Sequence, residues 1–281
     1  MIGALPDLLI EPVVRGALEE DLGRAGDLTA QACIPADARM TAVFAARSEG
    51  RIAGLDCARI ALRLLDPHAA FEVIVRDGED AEPRLPLARV EGNARAVLAA
   101  ERTALNLMQR LSGIATLTRA YVRAVDGTGA RITDTRKTTP GLRALEKHAV
   151  RCGGGLSHRM GLDDAILIKD NHLAVCGGVK PAMERARAAA GHLVKIELEV
   201  DSLVQLEEAL PLKPDVIMLD NFGLDDLKAA VRMTAGRVTL EASGGVNLET
   251  VRAIAETGVD VISVGALTHS APALDIGLDA I

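Results

Sequence analysis

From about residue 128 the sequence repeats one pattern, and that repeat limits the fold more than any other feature of the chain. Short strand-like runs end in clusters of polar or glycine residues, and helical stretches follow most of them. The runs close at Thr135-Arg136-Lys137, Lys169-Asp170-Asn171-His172, Glu199-Val200-Asp201, Asp220-Asn221-Phe222, Ser243-Gly244-Gly245 and Gly265-Ala266. Between them the periodicity predicts helices over 180–190, 203–209, 224–234 and 248–256, the last with Asn247 as N-cap and Gly258 as its stop. Neighbouring parallel strands need a crossover, usually helical. A unit of strand, polar tip and helix recurring every roughly 20 to 35 residues therefore predicts a parallel β/α barrel.

Up to about residue 112 the texture is mixed. Helices are predicted over 10–22, 57–65 and 94–111, strands over 40–47, 51–55 and 71–76, and a turn at Gly26-Asp27-Leu28-Thr29. This part is expected to be a small α+β domain with a helical exit. With 281 residues, 49% of them hydrophobic, the chain can bury a full core. No apolar run is long enough to span a membrane, and the N-terminus lacks the basic start and continuous apolar stretch of a signal peptide. Four cysteines, Cys33, Cys57, Cys152 and Cys176, are scattered without a C-x-x-C pair, so they are expected to be reduced thiols in a cytoplasmic protein. A net charge of −7 argues against nucleic acid or anionic membranes as partners. One Tyr, three Phe and no Trp leave little for stacking, so a planar ligand has to be gripped by its charges.

In a β/α barrel the chemistry sits at the C-terminal ends of the strands. Here the early tips carry Arg136, Lys137 and Lys169, which suit an anionic substrate. The middle tips carry Glu199 and Asp220, which suit a hard divalent cation held partly by substrate phosphates. The last two turns, at Ser243-Gly244-Gly245 and Gly265-Ala266, can offer backbone N–H groups to a phosphate. Along one strand Lys195, Glu197 and Glu199 share a face, and Glu241 shares one with Ser243. Charges pointing into a barrel must be paired, so an internal Lys195/Glu197/Glu241 network is expected. Three other features read more plainly. Arg102 on its own reads as part of a solvated helix face. His148, His158 and His172 lack the spacing of a zinc site. Gly153-Gly154-Gly155 reads equally as a phosphate cradle or a hinge.

The segments AERTALNLMQRLSGIAT, TDTRKTTPGLRALEKHAVRCGGGLSHRMGLDDAILIKDNH, IELEVDS, IMLDNF, LEASGGVN and GVDVISVGALTHSAPALDIGLD resemble those of the quinolinate phosphoribosyltransferases. The likeness covers nearly the whole chain and is most specific over residues 133–172. It implies an N-terminal α/β sandwich domain over 1–112, joined by the C-terminal segment 270–281, and an incomplete parallel β/α (TIM-like) barrel over 113–269. The implied assembly is a homodimer with shared active sites. The implied reaction transfers phosphoribosyl from phosphoribosyl pyrophosphate to quinolinate with decarboxylation, giving nicotinate mononucleotide, pyrophosphate and carbon dioxide.

Carried over by position, the resemblance makes Arg136, His158, Arg159 and Lys169 the quinolinate pocket, with Arg102 reaching in from the neighbouring subunit. Lys137 is implied to contact phosphoribosyl pyrophosphate, and Glu199 and Asp220 to face its ribose and Mg2+; these three form the implied catalytic set. Ser243, Gly244, Gly245, Gly265 and Ala266 are implied to hold the 5′-phosphate. His148 stands where Tyr is common in the family, and Ser157 where Asn is common. The competing reading is a paralogous enzyme of the molybdate-transport-associated type, acting on a different ring carboxylic acid. Relatives that take a monocarboxylate or an amide would not need so many cations. An aldolase or epimerase barrel would share only the last two turns, and a binding-only relic would lack Lys137, Glu199 or Asp220.

Overall fold

The computed structural model describes residues 3–281. They group into two compact units: residues up to Arg119 with Thr138–Gly154 and Leu267–Ile281, and Ala120–Lys137 with Gly155–Ala266. The first unit opens with α1 (Asp7–Leu22), α2 (Leu28–Cys33), β1 (Arg39–Ala46), β2 (Gly50–Arg51) and α3 (Leu55–Leu65). It continues with β3 (Ala70–Val73), β4 (Asp80–Ala81), β5 (Pro86–Asn93) and α4 (Ala94–Ala124), inside which the division falls. After β6 (Arg131–Thr133) in the second unit, α5 (Arg143–Cys152) returns to the first. The second unit then runs through β7 (Ile166–Ile168), α6 (Asp170–Cys176), α7 (Val179–Ala189), β8 (Ile196–Val200), α8 (Leu203–Ala209), β9 (Val216–Asp220), α9 (Leu224–Thr234), β10 (Thr239–Ser243), α10 (Val251–Ala255) and β11 (Val261–Ser263). α11 (Ala266–His269) leads back to the first unit, which β12 (Ile276–Ala280) completes.

In the first unit β12, β1, β5 and β3 form one antiparallel sheet in that order. Phe44 on β1 and Leu87 and Val90 on β5 are among its buried side chains. α3 is amphipathic, burying Leu55, Ala58, Ala61 and Leu62, and it packs beside α1. The expected turn at Gly26–Thr29 proves to be a helix start, because the Asp27 carboxylate accepts from the Ala30 N–H at 2.9 Å. The strand expected over 51–55 stops at Arg51, since Gly54, at φ +97°, caps α3 there. α4 runs past the expected end at 111, because Gly113 allows close approach where it would otherwise break the helix. A Cβ at Gly113 would lie 2.0 Å from the Pro272 carbonyl oxygen.

In the second unit six parallel strands follow the order β6-β11-β10-β9-β8-β7, and Leu156 bridges to Thr133 beyond β6. Six is short of the eight strands of a closed barrel, so the β/α barrel is incomplete. Alternation divides each strand. Ile196, Leu198 and Val200 on β8, Ile217 and Leu219 on β9, and Leu240 and Ala242 on β10 are buried on one face. The opposite face carries the polar residues of the site. The same anchor recurs where two strands begin: Asp215 accepts from the Ile196 N–H, and Asp260 from the Leu240 N–H, each at 2.8 Å. The helix expected over 248–256 is shorter, since Asn247 caps the preceding turn, its side-chain oxygen accepting from Glu249 N–H and Thr250 N–H at 3.0 Å each. No helix among the described residues is long and apolar enough to cross a membrane.

Candidate active site

The C-terminal ends of the six strands in the second unit surround a cavity of about 440 Å3. Its walls include Arg136, Lys137, His158, Arg159, Lys169, Glu199, Asp220, Ser243, Gly244 and Gly245. The register explains the gathering. Glu199 pairs with Met218 and Met218 with Glu241, while Asp220 pairs with Ser243, so inward residues of neighbouring strands lie level with one another. Among the described residues, the lining includes neither Arg102 nor Gly265 nor Ala266. Arg102 lies on α4 in the first unit, its side chain 59% exposed, with Glu101 3.7 Å away. Gly265 and Ala266 follow β11, whose Ser263 is the residue that reaches the cavity.

At the base of the cavity, burial sets the electrostatics. Glu197 and Glu241 are both buried on the inward face. His158 Nε2 lies 2.9 Å from Glu197 Oε2 and 3.8 Å from Glu241 Oε1. Burial pushes the Glu241 carboxyl up to about 7, and the charge of Glu197 adds to the rise. Two close carboxylates in a dry site cannot both ionise cheaply, which favours the protonated form of Glu241. The expected lysine of this network is a misassignment. Lys195 is exposed, precedes β8 and is absent from the cavity lining, and the His158 imidazole stands beside Glu197 in its place. Alternation placed Lys195 on the correct face, but one residue before the strand the chain is still at the open end of the sheet.

Above the trio sit the cations. The His158 N–H donates to Asp134 Oδ1 at 2.8 Å, which fixes the start of the His158–Arg159 segment. Arg159 donates to the Ala165 carbonyl at 3.3 Å. Burial, and next the charge of neighbouring Arg136, lower the Arg159 guanidinium from its ordinary pKa. The Arg136 Nε is buried without a hydrogen-bond partner. Two arginines thus face each other in a desolvated site with an N–H unmet, an arrangement an anion would complete. Lys169 Nζ forms an ion pair with the Glu199 carboxylate. Its backbone is set by His172, whose Nδ1 accepts the Lys169 N–H at 2.8 Å, so His172 is a helix cap.

The remaining rim is acidic and glycine-rich. Glu199 and Asp220 line both this cavity and a neighbouring one of about 600 Å3. Asp220 accepts from the Asn221 side-chain amide at 2.8 Å. Gly244, at φ +97°, tolerates no side chain, since a Cβ would lie 2.1 Å from Asn221 Oδ1. Asp134, Asn221 and Ser263 were not singled out from the sequence. Asp134 and Asn221 each sit beside a chosen strand-tip residue, which was the available signal. The Ser157 residue that departs from the family pattern is exposed and outside the lining.

The sequence matches the family described as quinolinate phosphoribosyl transferase, C-terminal domain, over residues 114–279, and its N-terminal domain over residues 27–112. It is 49% identical over 271 residues to a nicotinate-nucleotide pyrophosphorylase (carboxylating) of Mycobacterium leprae, covering 95% of each chain. It is 42% identical over 293 residues to a mitochondrial quinolinate phosphoribosyltransferase (decarboxylating) of Nicotiana tabacum, covering 98% of this chain and 83% of the relative. Among solved structures, the nicotinate-nucleotide pyrophosphorylase from Francisella tularensis superposes with a TM-score of 0.95 at 39% identity, covering 100% of this chain and 99% of the other.

Proposed function

The chain belongs to the quinolinate phosphoribosyltransferase family, and from that premise we propose that it transfers phosphoribosyl from phosphoribosyl pyrophosphate to quinolinate with loss of carbon dioxide. The products are nicotinate mononucleotide, pyrophosphate and carbon dioxide. The observation that carries the reading is the facing pair Arg136 and Arg159, with the Arg136 Nε buried and unmet. Quinolinate brings two adjacent carboxylates to a site with a surplus of cations and almost no aromatic surface.

In this reading Arg136, Arg159, His158 and Lys169 hold the two carboxylates and aim the ring nitrogen at the anomeric carbon. Pyrophosphate leaves as the nitrogen attacks, and the sugar passes through an oxocarbenium-like state. Glu199 and Asp220 offset the positive charge growing on the ribose, and Lys137 meets the pyrophosphate. The pyridinium so formed stabilises the electron pair left on C2 when the 2-carboxylate departs as carbon dioxide, and C2 then takes a proton from solvent, so the protein's part in that step is positioning. Gly244 and Gly245 bring backbone close to the 5′-phosphate, with Ser243, Gly265 and Ala266 completing its cradle.

Glu199 and Asp220 also suit Mg2+. Each is a hard oxygen donor with one oxygen engaged, by Lys169 and Asn221 respectively, and one left for an ion that takes its other ligands from phosphates. When bound, the ion would offset charge on the departing pyrophosphate. Exposed Arg102 fits a homodimer in which it enters the neighbouring subunit's site. Four free cysteines fit a cytoplasmic location.

The test supplies purified protein with phosphoribosyl pyrophosphate, Mg2+ and quinolinate, nicotinate or nicotinamide in parallel. Nicotinate mononucleotide from quinolinate alone supports the proposal. Turnover of nicotinate or nicotinamide with none of quinolinate would overturn it, and no turnover of any would redirect the search to other ring acids.

A further inference from the structure

His148 and Cys152 stand one turn apart on α5, so their side chains leave the same face of that helix. Asp77, in the turn between β3 and β4 of the same unit, meets them there. His148 Nε2 lies 3.2 Å from Asp77 Oδ2 and 3.4 Å from Cys152 Sγ, and all three donor atoms lie within 4.8 Å of one another. Both contacts fall on a single ring nitrogen. A nucleophilic triad uses the two ring nitrogens separately, one for the acid and one for the nucleophile, so this cluster is not built to activate the thiol. Three unlike donors converging on one point form instead a set of metal ligands. A tetrahedral zinc ion with Zn–N and Zn–S bonds of about 2.0 and 2.3 Å spaces its ligand atoms about 3.3 to 3.6 Å apart, close to the two distances observed.

The surroundings separate this cluster from an ordinary surface grouping. Cys152 is fully buried and His148 is 7% exposed. Asp77 is held ready, since its two oxygens accept from the Gly54 N–H at 2.9 Å and the Leu55 N–H at 3.2 Å. Those groups open α3, so the carboxylate is anchored at the start of that helix. Burial pushes the Cys152 thiol up to about 12, so in the absence of an ion this sulfur keeps its proton. Asp77 and His148 also line a cavity of about 490 Å3. Water can therefore reach a fourth coordination position. Arg151 Nη2 lies 3.4 Å from His148 Nδ1, but Arg151 is an exposed residue whose long side chain can withdraw.

We propose that Asp77, His148 and Cys152 bind one zinc ion, with water as the fourth ligand, in a site that joins α5 to the turn before β4. Binding displaces the Cys152 thiol proton to solvent and forms a zinc–thiolate bond, with no change of oxidation state. None of these residues lines the strand-end cavity, so the site does not depend on the proposed reaction.

The experiment strips the full-length protein with a chelator and titrates it with Co2+ as a coloured substitute, then with Zn2+, with Mg2+ as the control. The expected result is a thiolate-to-cobalt charge-transfer band that saturates at one ion per chain, is displaced by Zn2+ and is not produced by Mg2+. Zn2+ should also raise Tm. Cys152→Ser should abolish the band, and His148→Gln should weaken Zn2+ binding by at least about 10-fold. A wild-type protein that shows no such band overturns the proposal without any variant being needed. A band that survives Cys152→Ser overturns it as well.

Discussion

Glu241 is the residue whose environment most clearly sets its chemistry. Its carboxyl, pushed up to about 7 by burial and then by Glu197, binds its proton more tightly in the folded than in the unfolded chain. Between pH 4.5 and 7 the folded state therefore holds more protons, and this group's contribution to stability falls as pH rises through that window. Glu241→Gln, which is always neutral, should match wild type near pH 5 and exceed it at pH 8 by up to about 3 kcal/mol. Urea denaturation at the two pH values checks this, and an equal difference at both would contradict it. The cations predict a loss in the other direction. Arg136→Ala or Arg159→Ala removes a half-buried cation expected to hold a carboxylate and should cost about 2 to 5 kcal/mol of transition-state binding, a fall of roughly 30- to 5,000-fold in kcat/KM. Near-normal turnover in either variant would remove that arginine from the pocket. Arg136 was legible in the sequence because a charge at a strand tip has few structural explanations, whereas Arg159 was assigned only through the family resemblance. His158 as the partner of Glu197 was not legible, since residues 39 positions apart meet only once the sheet has formed.

At the scale of elements, the second unit was easier to read than the first. β/α repetition marks each strand by its polar tip and each helix by its period, and the ranges predicted for α8 and α9 agree with the structure. In the first unit β5 went unread, because its Pro86 start and the glycine at 92 resemble loop chemistry, yet it sits at the centre of the sheet between β1 and β3. What fixes it is pairing with strands distant in sequence, a tertiary effect that local propensity does not carry. Close approach of backbone was equally invisible. Gly113→Ala would drive a methyl group into the Pro272 carbonyl and should cost about 1 to 3 kcal/mol, seen as a lower Tm. Gly244→Ala meets both a strained φ and Asn221, and should raise the KM for phosphoribosyl pyrophosphate more than that for quinolinate. An equal effect on both substrates would place the β10 turn outside the phosphate cradle.

At the scale of the whole molecule, the sequence carries the family in its motifs, while the proposed homodimer has its support in Arg102, which its own chain leaves exposed. If Arg102 serves a neighbouring site, Arg102→Ala and Lys137→Ala are each inactive alone but complement when mixed. A mixed dimer has one site with both residues intact, so random exchange of subunits should restore about a quarter of the wild-type sites. No recovery after verified exchange would place Arg102 outside a shared site. In the proposed reaction the facing arginines hold a dicarboxylate whose 2-carboxylate leaves once the ring nitrogen carries the sugar. The most direct measurement is the amount of labelled carbon dioxide released from quinolinate, labelled at that carboxylate, against pyrophosphate formed. Equal amounts of the two are expected, with neither appearing unless phosphoribosyl pyrophosphate is present. Pyrophosphate formed from a ring acid without carbon dioxide, or carbon dioxide released without the sugar donor, would contradict that reaction.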